Sequence, residues 1–90
     1  MIVSKHAIRR LKDHALVPKT MDGHKAREFI KKRINRYTRN IYVNKKTLAR
    51  VHITDKFTAI MYGSRVVTIY PNDQIDKERM LENGQLRQVL

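Results

Sequence analysis

The residues best suited to chemistry lie in the segment 48–70, which consists of three short runs rich in β-branched and aromatic residues. If 55–56 and 63–64 are two-residue turns, these runs pair as an antiparallel meander, and side-chain alternation sorts them onto two faces. One predicted face is mixed and polar, and consists of Arg50, His52, Thr54, Phe57, Ala59, Met61, Val66, Thr68 and Tyr70. In this register His52 and Thr68 share one cross-strand row with Ala59 between them.

This face carries the side chains that metal-independent RNA cleavage requires. His52 has the proton affinity of a general acid or base, and Arg50 can bind a phosphate through two hydrogen bonds. Thr68 and Tyr70 offer hydroxyls that orient or protonate, and Phe57 offers a surface on which a base can stack. We predict His52, Thr68 and Tyr70 as catalytic and Arg50 and Phe57 as binding residues. The alternative is an ordinary solvated face of a half-buried sheet.

The first helix is predicted to begin at Ser4, a favourable N-cap, and to run through the sequence SKHAIRRLKDHAL. Its polar side carries His6 and Arg10 one turn apart, which suits phosphate contact, with His6 as a further catalytic candidate. A solvated helix face would show the same pattern.

A second helix is predicted from His24 to Tyr37, with Asp22 as its N-cap. Its polar side is basic, and we predict that Lys31, Lys32 and Arg36 bind nucleic acid. Arg33 falls within the apolar arc, so it either extends along the edge of the core or reaches towards a site. On the second reading we predict Arg33 as a further residue that contacts the phosphates of a nucleic acid.

Helices that precede strands indicate an α+β fold. We predict two N-terminal helices packed on one face of an antiparallel meander of three to four strands, with residues 1–71 as the body. The helices are expected on the apolar face, which is formed by Ala49, Val51, Ile53, Thr58, Ile60, Tyr62, Arg65, Val67 and Ile69. Residues 72–90 are predicted to add a short C-terminal helix from Asn72 or Asp73 to Gly84 and a loose end.

The charge of the chain is large for its size. It has 90 residues, a net charge of +12 and no cysteine. Residues 1–70 hold 17 Lys or Arg against four acids, whereas residues 71–90 hold three against four. This imbalance indicates a polyanionic partner. Nucleic acid is favoured over an acidic protein or an anionic membrane surface. The other explanation is a basic surface that serves only solubility.

Several function classes are not expected. The four histidines show no metal-ligand spacing, so no metal or other cofactor is predicted, and three glycines form no phosphate-binding loop. No apolar run reaches the length of a membrane span, and the N-terminal MIVSKHAIRR lacks the apolar region of a secretory signal. We therefore expect a cytoplasmic protein without membrane contact.

Two segments, SKHAIRRLKDH at the start and RVVTIYP at the end of the meander, resemble the small RNase superfamily that includes barnase, colicin D-type tRNases and RelE- and ParE-like toxins. The resemblance implies a toxin-like α+β fold with its active site on the sheet face away from the helices. It also implies cleavage of RNA without metal, often of tRNA or ribosome-bound mRNA, and a cognate inhibitor protein. His6, Thr68 and Tyr70 are the catalytic candidates that it supports.

Three functions remain open from the sequence. The first is a small, basic endoribonuclease, toxin-like or phage-encoded, that uses the 2′-hydroxyl of its substrate. The second is a non-catalytic nucleic-acid-binding module whose basic second helix carries the contacts. The third is an inhibitor that occupies the nucleic-acid site of a host enzyme. The sequence sets no oligomeric state.

Overall fold

The computed structural model describes residues 1–74 and 82–90, which form two α-helices and a six-stranded mixed sheet. The helices are α1 (Lys5–Asp13) and α2 (Gly23–Tyr37). The strands are β1 (Ile2–Val3), β2 (Thr38–Asn44), β3 (Arg50–Thr54), β4 (Thr58–Tyr62), β5 (Arg65–Tyr70) and β6 (Leu86–Gln88). Across the sheet the order is β1-β5-β4-β3-β2-β6, with β1 parallel to β5 and the other neighbours antiparallel. The α+β prediction is confirmed, but the sheet has more strands than predicted.

Both helices begin at the predicted capping residues. The hydroxyl of Ser4 accepts a hydrogen bond from the backbone N–H of Ala7 at 3.0 Å, and the carboxylate of Asp22 accepts one from His24 at 2.7 Å. Each bond satisfies a donor that the first turn of a helix would otherwise leave open.

The two faces of the sheet are exchanged relative to the prediction. Buried residues of both helices pack with Phe57, Ala59, Met61, Val66 and Ile69, which define the helix face of the sheet. The opposite, outer face holds a separate cluster, formed by Tyr42, Val51, Ile53 and Leu86 with Ile60 beside it. Alternation separates two faces but does not say which one a helix covers. Here the face that carries His52 is apolar at its centre, and the helices pack against that centre.

The predicted register holds for the β3–β4 pair and at both turns. His52 pairs with Ala59, Tyr62 pairs with Arg65, and Gly63 adopts a positive φ of 58° in the second turn. Glycine takes this conformation without the steric cost that other residues meet.

The predicted register of β5 is wrong beyond Val66, because the strand contains a β-bulge. Met61 pairs with Val66 but Ile60 pairs with Thr68, so Val67 is the extra residue. The bulge moves Ile69 onto the helix face, where it is fully buried, and Thr68 onto the outer face. The hydroxyl of Ser4 donates to the carbonyl oxygen of Val67 at 3.1 Å, which ties the bulge to the start of α1.

The end of the chain is a strand instead of the predicted loose segment. β6 pairs with β2, and Leu86 is 3% exposed against the outer face. Asn72–Gln74 forms one 3₁₀ turn, and the amide of Asn72 donates to the carbonyl of Thr54 at 3.0 Å. The body of the predicted C-terminal helix, residues 75–81, lies outside the described residues.

Candidate functional site

His52, the centre of the predicted sheet site, is buried beneath the helices. Its side chain is on the helix face with Ala59, and neither ring nitrogen has a hydrogen-bond partner among the described residues. Burial, followed by the charge of Arg50, lowers the pKa of His52 below its ordinary value of 6.5. This imidazole is therefore neutral at neutral pH and faces the protein core.

The other residues predicted on the same face do not converge with His52. Thr68 lies on the outer face, where its hydroxyl is buried without a partner in the described part of the chain. Phe57 has no exposed surface, and its ring centroid lies 6.2 Å from that of Phe29. A nucleic-acid base therefore cannot reach it. Arg50 is exposed at the start of β3. The predicted row of His52, Ala59 and Thr68 is thus absent, because the bulge and the helices separate its members.

A different group of polar side chains meets where α1 passes the end of β5. The guanidinium carbon of Arg10 lies 5.9 Å from the ring centroid of Tyr70, and the ring of His14 lies 6.3 Å from it. We call Arg10, His14 and Tyr70 the α1–β5 cluster. Two of its members were predicted as site residues on separate grounds, and the fold brings them into contact.

The sequence prediction missed His14, although its spacing carries a signal. His6, Arg10 and His14 recur every four residues, so they form one stripe that runs along α1 to its C-cap residue, His14. His6 is exposed one turn before Arg10, whereas the Nε2 atom of His14 is buried without a partner among residues that the structure describes. The stripe offers two imidazoles and a guanidinium beside a phenol, which are groups that bind phosphate and transfer protons.

The solvent side of α2 carries the second concentration of charge. Lys25, Lys32 and Arg36 are exposed and form no ion pair within residues 1–74 and 82–90. We call these three residues the α2 basic face. Lys31 is half-buried and lies 3.9 Å from Glu28, a separation at the limit of an ion pair.

Arg33, the basic residue predicted within the apolar arc, is held in place by three neighbours. Its Nη1 donates a hydrogen bond to Oδ2 of Asp55 at 2.8 Å. This ion pair connects α2 with the turn between β3 and β4. Its guanidinium carbon lies 5.3 Å from the ring centroid of Phe29 and 4.6 Å from that of Tyr37. The carboxylate neutralises Arg33, so the predicted phosphate contact by this residue gives way to an internal ion pair.

The described residues form neither a metal-binding group nor a membrane-spanning helix. In the described part of the chain, no group of three or more His, Asp or Glu side chains could hold a metal ion. The described helices are too short and too polar to cross a bilayer.

Comparison with known proteins adds no relative. No protein-family profile matches the chain, and the curated proteins and the solved structures also gave no match. Function must therefore be inferred from the positions and chemistry of the side chains described above.

Proposed function

We propose that this protein binds nucleic acid through the α2 basic face. The observation that carries the proposal is the composition of α2, which has six basic residues against the single acid Glu28. The three residues of the α2 basic face project into solvent without carboxylate partners in the described structure. Unneutralised charge of this density attracts a polyanion and releases its counterions.

The spacing of these cations fits an extended phosphate backbone. Lys25, Lys32 and Arg36 follow one side of the helix and span roughly 16 Å along its axis, at 1.5 Å per residue. α1 packs on the same face of the sheet and adds Lys5, Arg9 and Lys12 to the outside of the helical layer. Both helices therefore carry basic residues on the same side of the sheet.

Charge reversal on α2 tests this proposal. A fluorescently labelled RNA or DNA 20-mer should bind the wild-type protein at low salt, and Lys32→Glu with Arg36→Glu should weaken binding at least tenfold. The matched control is Lys45→Glu with Lys46→Glu, which makes the same change of charge at the exposed turn between β2 and β3. Equal losses in both double variants would indicate attraction by net charge alone and would contradict an interface on α2.

A second candidate function is metal-independent endoribonuclease activity, and the α1–β5 cluster favours it. In such a reaction the 2′-oxygen attacks phosphorus, a base takes the 2′-proton, and an acid protonates the departing 5′-oxygen as the P–O5′ bond breaks. Arg10 is suited to the non-bridging phosphate oxygens, and an imidazole of the stripe to the proton transfer. The Tyr70 hydroxyl is suited to the leaving oxygen.

RNA incubated with the protein in EDTA distinguishes the two candidates. The endoribonuclease proposal expects discrete products from the wild type and a loss of at least a hundredfold in cleavage rate for Arg10→Ala and Tyr70→Phe. Tyr62→Phe is the control, since Tyr62 is an exposed tyrosine at the far end of β4. Binding without cleavage would leave the nucleic-acid-binding proposal and remove the catalytic one.

A further inference from the structure

Three side chains of α2 form an alternating stack of aromatic rings and a guanidinium. Phe29, Arg33 and Tyr37 are spaced four residues apart, so they follow one another along the helix. The guanidinium of Arg33 lies between the two rings, 5.3 Å from one centroid and 4.6 Å from the other. These separations are within the range of cation–π attraction.

The stack is fixed at its centre and open at one end. Asp55 lies in the turn between β3 and β4, and its Oδ2 is 2.8 Å from Nη1 of Arg33. Phe29 packs against the core residue Phe57. Tyr37, at the other end, is 41% exposed. Tyr37 packs on Arg33, whose position is fixed by Asp55, so its ring is ordered before a ligand binds. This order lowers the entropic cost of binding.

The basic residues of the helix lie directly beside this stack. Lys32 is three residues after Phe29, and Arg36 is three residues after Arg33, so each is a helix-surface neighbour of the stack. Arg39 follows at the start of β2 and is exposed. A nucleotide whose base covers Tyr37 would have cations close to its phosphates.

We propose that Tyr37 is a stacking platform for an unpaired base and that the α2 basic face binds single-stranded nucleic acid in preference to duplex. This inference rests on the proposed function, to which it adds the class of ligand. A duplex offers phosphates to the cations but keeps its base faces within the helix, whereas a single strand offers both.

The experiment compares two labelled RNAs, a 12-nucleotide oligouridine and a 12-base-pair duplex. Tyr37→Ala should weaken oligouridine binding about tenfold, in line with the contribution of one stacked base, and change duplex binding less than twofold. Tyr37→Phe keeps the ring and should bind like the wild type. Tyr62→Ala removes another exposed tyrosine and serves as the matched control.

A fluorescent variant provides a readout that does not depend on removing the ring. The chain contains no tryptophan, so Tyr37→Trp introduces a single reporter. Its emission should be quenched by oligouridine and unaffected by the duplex. Urea unfolding of each variant separates loss of stacking from loss of fold.

The outcomes separate this inference from the proposed function. If the wild type binds neither RNA, both proposals are wrong. If it binds RNA but Tyr37→Ala lowers both affinities equally, or neither, then nucleic-acid binding stands and the stacking platform is wrong. Quenching of Tyr37→Trp by both RNAs to the same extent would also overturn the preference for single strands.

Discussion

The burial of His52 makes the stability of the protein depend on pH. Its ring is buried, its nitrogens lack partners among the described residues, and its pKa is lowered by burial and then by Arg50. The unfolded chain therefore binds a proton at His52 more readily than the folded chain does. The free energy of unfolding is therefore unaffected by protonation of His52 above about pH 6.5. It decreases as the pH falls from there towards the lower pKa that His52 has in the folded protein.

We expect His52→Leu to fold and to be less sensitive to acid. An apolar side chain of similar size removes two buried polar atoms that lack partners, so stability at pH 7.5 should be unchanged or higher. The free energy of unfolding, measured in urea at pH 7.5 and 5.5, should fall less on acidification than in the wild type. The exposed His24 provides the control His24→Leu, which should keep the wild-type difference. Severe destabilisation by His52→Leu at both pH values would contradict this description.

The individual site residues show what sequence patterns can and cannot predict. His6, Arg10 and Tyr70 were selected by helix spacing and by resemblance, and contact between Arg10 and Tyr70 follows in the fold. His52 was selected by an assumed register, and Thr68 by that register and by resemblance. One bulged residue places the two on opposite faces. Val67, the bulged residue, accepts a long-range hydrogen bond from Ser4, and the alternation of the strand alone does not indicate an extra residue there.

Among the elements, α2 is linked to the sheet by an ion pair as well as by its apolar side. Arg33 and Asp55 are about one-quarter and one-fifth exposed, so the pair is only partly screened by water. Removing one partner leaves the other desolvated and without its charge-assisted hydrogen bond.

We expect Asp55→Asn to reduce stability by about 1–3 kcal/mol, the scale of a hydrogen bond to a charged group. Chemical denaturation measures this difference. The same variant should weaken oligouridine binding, since Arg33 no longer has a fixed position beneath Tyr37. Asp13 is exposed on α1, and Asp13→Asn is the matched control for the lost charge. Equal stability of the Asp55 variant and the wild type would show that the pair contributes nothing.

The starts of both helices and the second turn of the meander followed from local sequence, but the helix-bearing face did not. Caps at Ser4 and Asp22 and the turn at Gly63 are local signals, and the structure has each in its predicted place. The choice of sheet face depends on which apolar surface the helices can match. Both faces of this sheet are apolar at the centre, so alternation alone left that choice undetermined.

For the whole molecule, the sheet has a buried cluster on each side. The outer cluster includes a residue of β6, the edge strand beside β2, because Leu86 is 3% exposed and packs in that cluster. A strand contributed by the last residues of the chain therefore helps to complete the fold.

We expect Leu86→Ala to cost about 2–5 kcal/mol of stability, the range for truncating a buried leucine. Val89 is 50% exposed one residue after β6, and Val89→Ala should cost less than about 0.5 kcal/mol. Urea unfolding curves of the two variants test the difference. Comparable small effects for both would mean that β6 does not contribute to the core.

The salt dependence of nucleic-acid binding is the most direct measurement of the central claim that the α2 basic face contacts phosphates. Dissociation constants for a labelled oligouridine, measured across a series of salt concentrations, should give a steep logarithmic slope for the wild type. Lys32→Gln with Arg36→Gln should lower that slope by about 1.4, since each contact with a single strand contributes roughly 0.7. Lys45→Gln with Lys46→Gln should leave it unchanged. An unchanged slope in the α2 variant, or no binding by the wild type at low salt, would contradict the claim.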